Sequence, residues 1–325
     1  MAADRVLLSI VMPAHNEQEV LPQTYRRVTE FAPALAALGY DYEVVFVNDG
    51  SRDATADLLD DLAGKDAHVR AVHLTRNFGH QPAVSAGLAV ARGAVVAIMD
   101  ADLQDPPEVL PRFLEQWKAG HQVVFAIRRK RKEWLGKRCA YWAFYRLLGA
   151  ISDIDIPLDS GDFCVMDRSA VDLLNALPER QRFVRGLRTW IGLKQTGVEY
   201  ERDARAAGVP QYTFTKLLRL ASDGLVSFSS APLRLVTRMG VLFVLMAAAL
   251  AVWVVLATFL DIQTPRGWAS TACLILLVGS VQMISLGILG EYIARIFLEV
   301  KGRPNYLIAR ITQHDQPETR HAKPE

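Results

Sequence analysis

The chain has 325 residues, 51% of them hydrophobic, and a formal net charge of +2 from 37 Lys and Arg against 35 Asp and Glu. That balance excludes the global basic excess of a nucleic-acid-binding protein, and three scattered cysteines (Cys139, Cys164, Cys273) without a CxxC spacing exclude a disulfide framework and a zinc site. A mean hydropathy of +0.13 is high for a wholly soluble protein, and the excess sits between residues 239 and 290, so a soluble body with a C-terminal membrane segment is expected.

The first half alternates strand-like and helix-like segments. Residues 7–12 form a short apolar run ended by Pro13, which reads as a strand and not as an export signal. The body is therefore expected in the cytoplasm. A helix is expected over residues 17–38, closed by Gly39, then a buried strand over 43–47 and the turn Asn48-Asp49-Gly50-Ser51. Asp53 or Ser51 can cap the next helix, which runs to Ala63. Strands at 69–74, 95–99 and 123–127 alternate with helices at 81–91 and 107–119, the last with Pro in its first turn. Continuous apolar strands separated by helices predict a mostly parallel sheet covered on both faces, a Rossmann-like α/β fold. Ligands of such sheets bind beyond the carboxyl ends of the strands. Four polar clusters fall there: His15-Asn16-Glu17, Asn48-Asp49, Arg76-Asn77 and Asp100-Ala101-Asp102.

Beyond Arg128 the pattern loosens. Residues 128–138 carry seven Lys or Arg, a strand is expected at 163–166 and a helix at 169–177. Residues 216–238 mix leucines with Arg219, Arg234 and Arg238, as in a helix lying flat at a membrane surface. Residues 239–260 and 268–290 are uncharged and long enough to span, given the roughly 20 residues a spanning helix needs. Basic residues flank the pair (Arg234, Arg238, Arg295, Lys301, Arg303), so both flanks are expected on the cytoplasmic side. The tail after Arg310 is polar and expected to fray. The expected organisation is a catalytic body over 1–215, juxtamembrane helices over 216–238, two spans within 239–290 and a cytoplasmic tail over 291–325.

The chemistry is concentrated at Asp100-Ala101-Asp102-Leu103-Gln104-Asp105. Two carboxylates and an amide oxygen at alternate positions, directly after a buried strand, suit a hard cation that also bridges to phosphates. No GxxxxGK[ST] or GxGxxG follows the first strand, so a nucleotide is not held as in P-loop or dinucleotide enzymes.

Together the segments Val11–Glu17, Asn48–Ser51, Arg76–Gln81 and Asp100–Pro107 resemble the family 2 glycosyltransferases of the GT-A fold. Asp159–Phe163, Arg205–Gly208 and the two C-terminal spans extend that resemblance to the GtrB-like polyisoprenyl-phosphate glycosyltransferases, relatives of dolichol-phosphate mannose synthase. The resemblance implies inverting transfer of a hexose, glucose first, from a UDP-sugar to polyisoprenyl (undecaprenyl) phosphate at the lipid bilayer. It implies Pro13, His15, Glu17, Asp49, Asn77, Asp100 and Ala101 around the donor, and Asp100, Asp102 and Gln104 toward Mg²⁺ or Mn²⁺. It implies Arg128, Arg138 and Arg205 at the phosphates, with Asp102, Asp162 and Arg205 as the catalytic group, and a homo-oligomer. His80 reads as a structural hydrogen-bonding residue, and Asp162 as an orienting group or a base. The sequence departs from the family pattern at His15 (usually Tyr), at Asn48 (usually Asp) and at Gly208–Tyr212, which lacks the usual Ser and Lys. Three other readings stay open: a processive polysaccharide synthase, against which stand the two spans and the missing QxxRW; a nucleotidyltransferase, which needs a basic glycine-rich first loop; and a non-catalytic membrane scaffold, against which stand Asp100, Asp102 and Gln104.

Overall fold

A computed structural model describes residues 5–128, 160–180, 182–201, 231–259 and 267–314. Along the chain run β1 (Val6–Ala14), α1 (Leu21–Ala37), β2 (Tyr40–Asn48), α2 (Thr55–Lys65), β3 (Val69–Leu74), α3 (His80–Val90), β4 (Val95–Ile98) and α4 (Leu110–Lys118). They are followed by β5 (Val123–Arg128), β6 (Ser160–Asp167), α5 (Arg168–Ala176), α6 (Val184–Trp190), β7 (Gln195–Tyr200), α7 (Ala231–Phe259), α8 (Trp268–Val300) and β8 (Ile308–Gln313). The chain divides into two compact units, one of residues 1–145, 154–212 and 303–325, the other of 146–153 and 213–302.

The first unit is built on an eight-stranded sheet in the order β7-β5-β6-β4-β1-β2-β3-β8. Parallel pairing joins β4, β1, β2 and β3, and also β5 and β7. Strands β6 and β8 run antiparallel to their neighbours. The GT-A α/β fold with a mostly parallel, mixed sheet is thus present. Alternation along β1 sends Leu8, Ile10 and Met12 into one core with Val44, Phe46, Leu21, Leu35 and Phe113. Complete burial of each such side chain contributes roughly 1.5–3 kcal/mol. On the opposite face α3 lies directly on the sheet because residue 87 is glycine: a Cβ there would fall 2.2 Å from Cγ1 of Val11.

The helices begin and end where local chemistry dictates. The expected helix from residue 17 starts later, at Leu21, because the Glu17 carbonyl closes a turn by accepting from the Val20 and Leu21 amides. Asp167 caps α5 by accepting from Ser169 N at 2.9 Å. The segment expected as one helix over 107–119 opens as a 3₁₀ turn (Pro107–Val109) before α4.

The tail was expected to fray after Arg310, but its first residues, 311–313, are ordered in a strand, and residues 315–325 lie outside the described residues. Residues 308–313 form edge strand β8 against β3. Its six residues, Ile308-Ala309-Arg310-Ile311-Thr312-Gln313, are short and lack a sustained apolar alternation, which gives a weak strand signal, and its pairing partner lies in the first third of the chain. Elements α6 and β7 were likewise not expected. Residues 202–230, which hold most of the amphipathic stretch expected over 216–238, lie outside the described residues, and its last part, 231–238, opens α7.

The second unit contributes α7, 29 residues, and α8, 33 residues. At 1.5 Å per residue each exceeds the roughly 30 Å of a bilayer core. Large apolar side chains point outward along both, Leu245 (62% exposed) and Ile275 (66%) among them. Among the described residues, one stretch, Leu277–Val300 with mean hydropathy 1.4, is long and apolar enough to cross a membrane.

Candidate active site

The carboxyl ends of β1, β2 and β3 stand side by side, with Ala14 opposite Asn48 and Asn48 opposite His73. Their loops are laced together. Asn16 N donates to Ser51 Oγ at 3.0 Å, Arg52 N to Asn16 Oδ1 at 2.9 Å and Glu17 N to Thr55 Oγ1 at 2.9 Å. Asn77 Nδ2 lies 3.1 Å from His15 Nε2, and His15 Nδ1 meets the Asp49 carbonyl at 2.9 Å. Glycine is required at position 50, where φ is +61° and a Cβ would fall 2.3 Å from Asn77 N. His15, Asn16, Gly50, Arg52, Arg76 and Asn77 line an open pocket of ≈ 410 Å³.

Of the residues expected around a donor, His15 and Asn77 line this pocket. Pro13 lies beside Val47 near the end of β1. Asp49, 4% exposed, anchors the neighbouring loop: its two carboxylate oxygens accept from Phe78 N (2.7 Å) and Gly79 N (2.9 Å), at the start of α3. That bond pair uses the dipole and free amides of a helix N-terminus.

The second half of the site is acidic. Asp100 and Asp102 follow β4, the other neighbour of β1. Ala101 between them is buried, and its carbonyl accepts from Thr24 Oγ1 of α1 at 2.7 Å. Asp102 is 8% exposed and accepts from Gln104 N at 3.1 Å, which closes a tight turn with Leu103 at φ +60°. A non-glycine residue in that region is strained by about 1–3 kcal/mol. Asp105 is buried and accepts from the Tyr200 hydroxyl.

Strand β6 adds Asp162 opposite this turn. His80 Nε2 lies 3.4 Å from Asp162 Oδ2 and 3.9 Å from Asp100 Oδ1, and Arg185 Nη2 lies 3.3 Å from Asp162 Oδ1. Burial pushes the Asp162 carboxyl up, but the hydrogen bond from His80 and the charges of Arg185, His80 and Arg188 outweigh it and hold it well below the usual carboxylate range. His80 is displaced the other way. Burial works against its charge, yet Asp162 and Asp100 raise it to about 9. Burial, against the pull of His80 and helped by Asp105, Asp162 and Asp102, raises Asp100 to about 6. Asp162 is therefore an ionised carboxylate held between cations, which suits orienting a partner better than taking a proton.

His80, read from sequence as structural, stands between the two carboxylates. Arg185 and Asp105 had no local signal, because their partners Asp162 and Tyr200 come from other elements. Arg128 closes β5. Arg138 and Arg205 lie outside the described residues.

Among the described residues, no three His, Cys, Asp or Glu side chains form a metal-holding group. The donor set nevertheless fits a hard divalent cation. Mg²⁺ is commonly held by one or two carboxylates plus substrate phosphates, not by an all-protein cage, and Asp100 and Asp102 supply such a pair within a cluster of mutually repelling carboxylates.

Residues 9–174 match the family described as glycosyl transferase family 2, and residues 231–296 match the GtrB C-terminal hairpin. The glycosyltransferase YkcC of Bacillus subtilis is 42% identical over 306 residues, 93% of each chain. The bactoprenol glucosyl transferase of Shigella phage SfX is 42% identical over 303 residues, 93% of this chain and 98% of that protein. Among solved structures, glucosyl-3-phosphoglycerate synthase from Mycobacterium tuberculosis, in complex with Mn²⁺, UDP and phosphoglyceric acid, is similar over 69% of this chain and 78% of its own, at TM-score 0.44 and 19% identity. With a catalytic sheet, an acidic cluster on its carboxyl rim and a hairpin of membrane-associating helices, this chain belongs to the family 2 glycosyltransferases and is an enzyme of their GtrB-hairpin type.

Proposed function

We propose that this protein transfers glucose from UDP-glucose to undecaprenyl phosphate, with inversion, at the cytoplasmic face of the membrane. The observation that carries this reading is similarity to bactoprenol glucosyl transferases at 41–42% identity along nearly the whole of both chains, hairpin included. The helices α7 and α8 would cross the bilayer as a hairpin, leaving the sheet and the return strand β8 in the cytoplasm. Only the phosphate of the acceptor then needs to leave the bilayer.

A phosphate oxygen of the lipid attacks the anomeric carbon, the new C–O bond forms, and the bond to the diphosphate breaks with UDP leaving. A phosphate monoester has a second pKa near ~6, so the attacking oxygen is already largely ionised at neutral pH. No strong base is required, which agrees with an Asp162 kept ionised by His80 and Arg185. Asp162 would orient sugar or acceptor. Pro13, His15, Glu17, Asp49 and Asn77 would hold the nucleoside, and Arg128, Arg138 and Arg205 the phosphates. Asp100, Asp102 and Gln104 would hold Mg²⁺ or Mn²⁺, which when bound stabilises negative charge on the departing diphosphate.

The test is transfer itself. Full-length protein in detergent, with Mg²⁺ or Mn²⁺, is given radiolabelled UDP-sugars and undecaprenyl phosphate. Label from UDP-glucose should move into the organic phase and fail to do so with Asp102→Ala. Transfer from another nucleotide sugar alone would replace glucose in the proposal, and no transfer from any would remove the lipid acceptor from it.

A further inference from the structure

Beneath the pocket lies a buried chain of polar groups that the reaction does not use. Asn48 is 4% exposed and His73 is 5% exposed. Polar groups at that depth need matched partners, donor to acceptor. Ser51 N–H donates to Asn48 Oδ1 at 3.0 Å. This fixes the amide and turns its NH₂ toward His73 Nδ1, 3.1 Å away. An amide NH₂ only donates, so Nδ1 carries the lone pair and the ring proton sits on Nε2. Nε2–H donates to Asp60 Oδ1 of α2 at 3.0 Å. From β8, Thr312 Oγ1 donates to the same oxygen at 2.6 Å, and the Arg310 guanidinium pairs with Oδ2. The donors therefore run one way from Ser51 through Asn48 and His73 to Asp60, and Thr312 and Arg310 of β8, the strand that follows α8, donate to the same carboxylate from the other side. The turn at residues 48–51 bears on the pocket twice: Ser51 Oγ holds Asn16, and Gly50 packs on the Arg76–Asn77 backbone.

We propose that His73 and Asp60, held by Arg310 and Thr312, are positioning residues for the donor nucleotide, through which β8 sets the Asn48–Ser51 turn. The inference rests on reading that pocket as the nucleotide site. The charged groups that reach the ring are Asp60 and Asp57 of α2 and Arg310 of β8. Burial holds His73 below the usual histidine range, with Asp60 opposing and Arg310 assisting. A group depressed in this way keeps its neutral-state contribution above the unfolded value of about 6.5 and loses it as pH falls through the folded value. Asn48→Asp reverses the requirement. A carboxylate at 48 needs Nδ1–H while Asp60 still needs Nε2–H, so the relay is complete only with a charged ring and is lost as pH rises.

The test uses the full chain in detergent micelles, with hydrogen–deuterium exchange over residues 47–52 and 69–74 and calorimetric titration with UDP. In Asp60→Asn and His73→Gln, exchange at 47–52 should quicken about tenfold, as for one lost buried hydrogen bond, with 69–74 unchanged. The Kd for UDP should rise by a similar factor while KM for undecaprenyl phosphate moves less than about twofold. Asn48→Asp should protect the turn below about pH 6 and expose it above about pH 8, opposite to the parent protein. Equal loss over both segments, no change at 47–52, or the same pH trend in Asn48→Asp and parent would each overturn the relay. The exchange arm needs no ligand, so its failure strikes the relay, whereas failure of the parent protein to bind UDP strikes the proposed donor.

Discussion

The two halves of the active-site rim are held by different physics. At the ends of β1, β2 and β3 the loops are tied to one another by hydrogen bonds to backbone amides, and the turn at Gly50 fits against Asn77 with no room for a Cβ. At the ends of β4 and β6, carboxylates of Asp100, Asp102, Asp105 and Asp162 crowd together, with His80 and Arg185 as opposing charges. The first region is complete as folded and presents a fixed shape. The second carries mutual repulsion among its carboxylates, offset in the structure by His80 and Arg185. Under the proposed function the first half would recognise the donor and the second would handle charge, so each half is expected to fail differently when altered.

The largest effect is expected in the acidic half. Asp102→Ala should lower kcat on the order of 10²–10³-fold, comparable to removing one charge-stabilising group, with thermal stability nearly unchanged. A loss below tenfold would deny the acidic half its separate role. Next, Gly50→Ala breaks the fixed half. Strain of about 1–3 kcal/mol at a positive φ corresponds to roughly a tenfold or greater rise in donor KM, with kcat at saturating donor little changed. An equal fall in kcat would show that the halves are not separable.

Asp162→Asn sharpens the comparison from the other side. A carboxylate that orients and does not take a proton should cost about tenfold in kcat and leave the acid limb of the pH–rate profile in place. Disappearance of that limb would make Asp162 a base. The smallest effect concerns Asp53. Burial pushes its carboxyl up, but hydrogen bonds from Thr55 and Gln18 outweigh it and hold it below the usual range. Such a group stabilises the fold above its unfolded pKa near 3.9 and loses that contribution as pH falls through its lower folded value. Asp53→Asn should cost about 0.5 kcal/mol at pH 7 and vanish as a difference near pH 2, read from urea unfolding.

Much of the rim was legible in advance. Apolar runs of strand length bounded by Pro13, Asn48 and Asp100 locate the strand ends, since buried strands need continuous hydrophobic residues and ligands gather where they stop. What was not legible depended on partners far apart in the chain. His80 carries no mark of standing between Asp100 and Asp162, Arg185 none of pairing with Asp162, and residues 308–313 none of pairing with β3.

By itself the sequence determined the parallel α/β frame, the hairpin helices and the acidic motif, because periodicity and strand-ending polar residues are local properties of the chain. Only the tertiary structure decided the insertion of β6 between β4 and β5, the return of β8 to the sheet edge and the relay of bonds by which Ser51 and Arg310 converge on Asp60. These depend on which buried donor meets which buried acceptor, a match made only when distant segments are brought together and water is excluded.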